Sequence, residues 1–236
     1  MLIATWNVNS LRVRLPHLKD WLAANPVDVL ALQETKIDDP NFPREEIEAL
    51  GLQVAFSGQR TYNGVALLSR NALEDVVPGI PGFADEQKRV LAATIGGVRI
   101  IDVYVPNGQA VGSDKYEYKL RWLAALRDYV AAELARHPQL VILGDYNIAP
   151  DDRDVHDPLV WNEDSILTST QERAALQRLL GLGLHDSGLE RELRAARPRL
   201  RRFRQRCAVD SRGGRRQSPG HGKRQLDTLR SPAFEQ

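Results

Sequence analysis

Between residues 1 and 187, short apolar runs of strand length alternate with longer stretches of helical period, and this alternation restricts the chain to layered α/β architectures. Runs at 2–6, 27–32, 64–68, 90–95, 98–105 and 140–143 read as strands. Several are apolar without strict alternation, which predicts sheets covered on both faces. Helical patterns fall between them. Leu11, Leu15, Leu18 and Leu22 form one stripe over 11–24, stopped by Asn25-Pro26. A second helix starts near Ser113 and carries Tyr116, Leu120, Leu123, Leu126, Val130 and Leu134 before Pro138. A third opens with Ser169 and Glu172 at capping-box spacing and stops at Gly181, and a short one follows Pro43 and ends at Gly51.

Composition matters chiefly because it is uneven. The 236 residues carry a net charge of +1, but residues 1–187 hold 18 Lys and Arg against 26 Asp and Glu, and residues 188–236 hold 14 against 5. All four Trp and all six Tyr precede the break, and the last Ile is Ile166. A segment so poor in aromatic and β-branched residues buries little apolar surface, so 188–236 is expected to be an Arg-rich tail that packs poorly or stays disordered. The single cysteine, Cys207, excludes a disulfide framework and a Cys-rich zinc site. The chain opens without an export signal and has no apolar run of membrane-spanning length, so the expected location is the cytoplasm and no membrane partner is expected.

Four strand-length runs end in polar residues: Asn7 and Asn9 after the first, Gln33-Glu34-Thr35-Lys36 after the second, Tyr104 and Asn107 around the end of the fifth, and Asp145-Tyr146-Asn147 after the sixth. Each has an ordinary explanation taken alone. A carboxylate after a strand is commonly solvated, Asp-Tyr-Asn is a good turn sequence, and an aromatic at a sheet edge usually packs. Stacked sheets would bring the four ends to one rim, where ligands of layered folds commonly sit. Carboxylates and amides supply only oxygen ligands, so a metal held there should be hard, Mg²⁺ or Mn²⁺, and Mg²⁺ bound by few carboxylates points to phosphoester chemistry.

The strings Ala4-Thr5-Trp6-Asn7-Val8-Asn9-Ser10-Leu11-Arg12, Leu32-Gln33-Glu34-Thr35-Lys36, Tyr62-Asn63-Gly64-Val65-Ala66-Leu67-Leu68-Ser69, Tyr104-Val105-Pro106-Asn107-Gly108 and Leu143-Gly144-Asp145-Tyr146-Asn147-Ile148-Ala149-Pro150 occur in that order. Together they resemble bacterial exonuclease III, the apurinic/apyrimidinic endonuclease branch of the endonuclease/exonuclease/phosphatase superfamily. The stretches 154–158 with Trp161, and 182–187, continue the resemblance. It implies an α/β four-layer sandwich of two mixed β-sheets flanked by helices, over residues 1–187. It also implies a monomeric DNA-repair nuclease acting on double-stranded DNA at abasic sites or 3′ ends. By position, Glu34 resembles the principal Mg²⁺ ligand and Asn7 its neighbour in the metal shell. Asp145 resembles the carboxylate that activates water, and Asn147 the amide that positions the scissile phosphate; both are also counted with the metal shell. Tyr104 resembles the tyrosine that reaches a phosphate oxygen. Arg12, Lys36, Tyr62, Asn63 and Arg89 are candidate DNA contacts; each basic side chain could equally be a solvated surface charge.

The resemblance stops at Ser187. The family's Phe-Ser-Trp-type segment, Arg-Ile-Asp strand and terminal Ser-Asp-His are absent in recognisable form, and the tail's only histidine, His221, lacks a preceding Asp. The sequence therefore predicts a domain without its closing strands, marginally stable and weakly active or inactive. A change of reading frame near codon 187 explains the abrupt loss of Ile, Asn, Tyr and Trp better than an evolved basic arm does. Two other functions compete. One is a superfamily phosphatase acting on a lipid or small phosphoester, against which the Arg12 and 62–66 strings argue. The other is a non-catalytic nucleic-acid binder that uses the tail.

Overall fold

The computed structural model describes residues 1–186. Ser187 and the segment 188–236 lie outside them, as do the expectations attached to that segment. Eight strands form two mixed four-stranded sheets. The first has the order β1 (Ile3–Asn7), β2 (Val29–Gln33), β4 (Val65–Ser69), β3 (Gln53–Ser57); the second has β5 (Glu74–Pro78), β6 (Val90–Ile95), β7 (Val98–Tyr104), β8 (Leu140–Asp145). In each sheet one edge pair is parallel, β1 with β2 and β7 with β8, and the rest are antiparallel. A parallel pair needs a crossover, and the helices α1 (Leu11–Ala24) and α3 (Asp114–Arg136) supply one each.

Three apolar clusters separate four layers. Leu11, Leu15, Leu18 and Trp21 of α1, with Ile47 of α2 (Arg44–Glu48), pack on the outer face of the first sheet through Leu30, Leu32, Ala66 and Leu68. The alternate residues Val29, Ala31, Val65 and Leu67 face inward against Leu91, Ala93, Ile100 and Leu143. Trp122, Leu126 and Val130 of α3, with Leu176 and Leu179 of α4 (Thr170–Leu180), cover Ala92, Ile101 and Val103 on the second sheet. The uninterrupted apolar runs in β2 and β4 are thus a consequence of burial on both faces.

The sequence expectation omitted β3 and β5. β3 has only three apolar residues between Gln53 and Ser57, and β5 is a largely exposed edge strand interrupted by a bulge between Glu74 and Val77. The buried stripe of α3 also differs. It runs through Tyr116, Lys119, Trp122, Leu123, Leu126, Tyr129, Val130 and Glu133, so Leu120 and Leu134 are only half-buried while a lysine and a glutamate lie inside. Ser113 and Ser169 cap α3 and α4 through their side chains, the latter in the expected capping box with Glu172. Ser10 does not cap α1; instead the Ser10 and Leu11 amides donate to the Glu34 and Thr35 carbonyls at 2.8 and 3.0 Å. The first turn of α1 is thereby fixed to the turn that carries Glu34. No described helix is long and apolar enough to cross a membrane.

Candidate active site

The C-terminal ends of β1, β2, β7 and β8 meet at one rim. Within the first sheet Asn7 pairs with Gln33, the residue before Glu34; within the second, Tyr104 pairs with Asp145. Asn7 joins the two sheets: its amide nitrogen donates to Glu34 Oε1 and to Asp145 Oδ2, both at 2.8 Å. Its carbonyl oxygen accepts the Asn9 backbone amide at 3.0 Å, which fixes which way the amide faces.

Glu34 lies at φ 55 and Lys36 also at φ 55, with Asn9, Asn63 and Asn147 at φ 44, 54 and 46. Left-handed backbone costs non-glycine residues energy and persists where surrounding structure enforces it. Here cross-chain backbone bonds enforce it: Thr35 and Lys36 amides donate to the Gly64 and Asn63 carbonyls at 3.1 and 2.9 Å. Gly64 is required for this approach, since a Cβ there would lie 2.1 Å from Thr35 Oγ1. The Lys36 ammonium sits 2.9 Å from Glu34 Oε2 and also donates to the Asn9 side chain.

On the second sheet, Asp145 Oδ1 accepts the Asn147 backbone amide at 3.0 Å, and the Asn147 side-chain amide donates to the Val105 carbonyl at 2.9 Å. Burial pushes the Asp145 carboxyl up to about 6; the Asn7 and Asn147 hydrogen bonds oppose that rise, Glu34 adds to it, and Lys119 opposes it. Burial, and then the Glu34 carboxylate, raise the Tyr104 hydroxyl above its ordinary value, so the phenol stays protonated as a donor.

Among the candidate DNA contacts, Arg12 and Tyr62 are exposed and Lys36 is half-buried on the rim. Asn63 and Arg89 are buried. Asn63 donates to Gln59 and Gln87 at 3.0 and 3.3 Å. Arg89 donates to Gln87 and to the Tyr104 carbonyl at 2.8 and 3.1 Å, with its guanidinium 4.6 Å above the Tyr104 ring. Two bases that sequence reasoning passed over, Arg60 and Lys88, are exposed on loops joined by the Gly64 amide and the Lys88 carbonyl. The signal available was their adjacency to the 62–64 and Arg89 positions.

Behind the rim, Gln33 crosses between the sheets and donates to Asp102 Oδ1 at 2.6 Å and to Thr5 Oγ1 at 2.9 Å. Asp102 is fully buried, and burial raises its carboxyl well above the ordinary range. Among the described residues no group of three or more His, Cys, Asp or Glu is placed to hold a metal. The rim instead offers two carboxylates and the Asn147 amide. The Asn7 nitrogen faces both carboxylates and its oxygen is taken by the Asn9 backbone, so Asn7, expected in the metal shell, orients the carboxylates and is not placed as a ligand. An all-oxygen set with so few carboxylates suits a hard cation that keeps several waters, and it does not suit zinc.

Comparison with known proteins agrees with this geometry. The model of the Endonuclease/Exonuclease/phosphatase family matches residues 4–220. Exodeoxyribonuclease III of Haemophilus influenzae is 34% identical over 200 residues, covering 79% of this chain and 74% of the relative. The 3′ phosphatase NExo from Neisseria, solved with a product DNA hairpin, superposes with a TM-score of 0.79 at 50% identity, over 80% of this chain and 74% of that one. An AP endonuclease from Archaeoglobus fulgidus gives 0.76 at 36% identity, over 87% and 79%. The family match extends past Ser187, where the ordered motifs end. With the fold, the rim and these relatives in agreement, the chain belongs to the endonuclease/exonuclease/phosphatase family, as an enzyme of the exodeoxyribonuclease III and AP endonuclease type.

Proposed function

We propose that this chain encodes a Mg²⁺-dependent DNA-repair nuclease that hydrolyses phosphodiesters at 3′ ends and abasic sites of duplex DNA. The observation that carries the reading is the Asn7 amide held between Glu34 and Asp145, which brings carboxylates from two sheets to one point. Glu34 and Asp145, with the Asn147 amide beside them, would hold Mg²⁺ or Mn²⁺ while Asn7 orients the two carboxylates, and the cation when bound supplies charge neutralisation on phosphate oxygens. Asp145 orients the attacking water and takes its proton, a role suited to a carboxyl lifted toward neutrality by burial. Tyr104 donates its hydroxyl to a phosphate oxygen. Asn147 uses one amide hydrogen on Val105 and has the second for the scissile group. Arg12, Lys36, Arg60 and Lys88 form the basic margin through which an otherwise acidic domain meets the DNA backbone. Arg89 acts through Tyr104, whose ring it covers.

The 50% identity to a protein described as a 3′ phosphatase favours 3′-end hydrolysis as the first activity to measure. The test uses duplexes with a 3′-phosphate or a single abasic-site analogue, alongside inositol phosphates, in Mg²⁺ or chelator. Metal-dependent hydrolysis of DNA that Glu34→Ala abolishes supports the proposal. Turnover of inositol phosphates alone, or hydrolysis indifferent to Glu34, overturns it. The 236-residue chain should be slower than a version whose residues after Ser187 are translated in a neighbouring frame, measured on the same duplexes.

A further inference from the structure

Lys119 is fully buried and lies on the apolar stripe of α3. Its ammonium has three N–H donors. One reaches the Asn147 carbonyl at 2.6 Å, one the Asn107 carbonyl at 3.2 Å, and one Glu172 Oε1 on α4. The first two acceptors are backbone atoms of the turns that follow β8 and β7, the strands that end in Asp145 and Tyr104. The third is tied to Ser169 through the α4 capping box, and Ser169 in turn meets the Tyr116 hydroxyl at 2.7 Å. Room for the lysine stem depends on Gly108, where a Cβ would come 3.1 Å from Lys119 Cδ.

Asn147 shows what this arrangement does. Its backbone is left-handed, its amide is held by Asp145, and its side-chain amide is held by Val105. Its carbonyl is held by Lys119. With that bond the residue is fixed at three points, leaving its side-chain oxygen and one amide hydrogen toward the rim. A hydrocarbon at 119 would leave the Asn147 and Asn107 carbonyls without this donor, and among the described residues no other side chain donates to them. We infer that Lys119 is a positioning residue for the reaction: by donating to the backbone of both turns at once, it sets the Asn147 amide and the Asn107 turn relative to Asp145 and Tyr104. This rests on the proposed nuclease reading of the rim, but the geometry it predicts does not.

A simple structural role must be separated from a positioning one, because removing Lys119 alone strands the buried Glu172 carboxylate. The variant Lys119→Met therefore has a companion, Lys119→Met with Glu172→Gln, which removes both charges and keeps a residue able to complete the capping box. Expected for the double variant is a thermal midpoint close to the original, with hydrogen exchange at least tenfold faster in peptides covering 105–110 and 145–150 and unchanged in those covering β2, β4 and α1. Mg²⁺-dependent hydrolysis of the 3′-phosphate duplex should fall at least tenfold in kcat with KM within threefold. Exchange equal to the original chain in both turns overturns the inference, as does full recovery of kcat in the double variant. Exchange is read without substrate, so an inactive parent chain, which the sequence expects of this ending, leaves the nuclease reading to the version with the reframed ending and the exchange result to decide the role of Lys119.

Discussion

Glu34 and Asp145 differ in what surrounds them, and their substitutions should differ accordingly. Asp145→Asn keeps the Asn7 and Asn147 contacts in outline but removes a proton acceptor, so hydrolysis should fall by roughly 10²–10⁴-fold with duplex affinity nearly unchanged. Glu34→Ala should cost as much in rate and, in addition, weaken Mg²⁺ binding as followed by calorimetry. Asp102 gives a stability prediction. Its folded-state carboxyl is raised above the unfolded value because it is buried, with Oδ2 lacking a hydrogen-bond partner among the described residues. The stabilising contribution of the protonated form is complete below the unfolded value and is lost as pH rises through the folded one. In urea titrations the parent chain should therefore lose stability relative to Asp102→Asn as pH rises, and equal slopes for the two would refute this. Asn7, Glu34, Tyr104, Asp145 and Asn147 were legible because each follows or ends a strand-like run. Asn63 and Arg89 were not legible as buried groups, since a polar letter in a loop string carries no information about which neighbour its hydrogens meet. Lys119 was hidden because an apolar period records the majority of a stripe and passes over a charged member whose partner is 53 residues away.

At the level of elements, the strand and helix order was readable from period and punctuation, and the missed strands were those with short apolar runs between polar ends or with too little burial to show one. Gly144 illustrates a constraint that only register reveals. It pairs with Val103 at φ 136, and a Cβ would lie 2.0 Å from the Val103 carbonyl oxygen. Gly144→Ala should therefore displace β8 from β7 just before Asp145, costing ~3 kcal/mol or more by chemical denaturation, of the order found where an incompatible backbone is forced. Gly51→Ala, also at positive φ but with no atom within 4 Å of a Cβ, should cost ~1 kcal/mol, and a similar loss at both sites would show that contact plays no part.

For the whole molecule, the two parallel edge pairs leave a consequence at the sandwich margin. Among the described residues β1 pairs only with β2 and β8 only with β7, and β1 is half-buried along its length while β2 is buried throughout. An incomplete domain, as the sequence predicts, should melt below the ~45–65 °C typical of mesophilic domains. A sharp transition in that range would contradict that expectation. The excursion from Pro150 to Ile166 has a different bearing. Its neck is closed by the Ala149 amide on the Leu167 carbonyl at 2.8 Å, two residues from Asn147, and its far end carries Leu159 at 89% exposure. Asp152, Asn162 and Glu163 tie the base of the loop to Arg173, Thr168 and Thr170, so an exchange that keeps these three contacts should leave Asn147 in place. Replacing 153–161 with a short Gly-Ser bridge should leave turnover within about threefold while changing which duplex ends are preferred, so that new specificity arises with the catalytic geometry inherited intact.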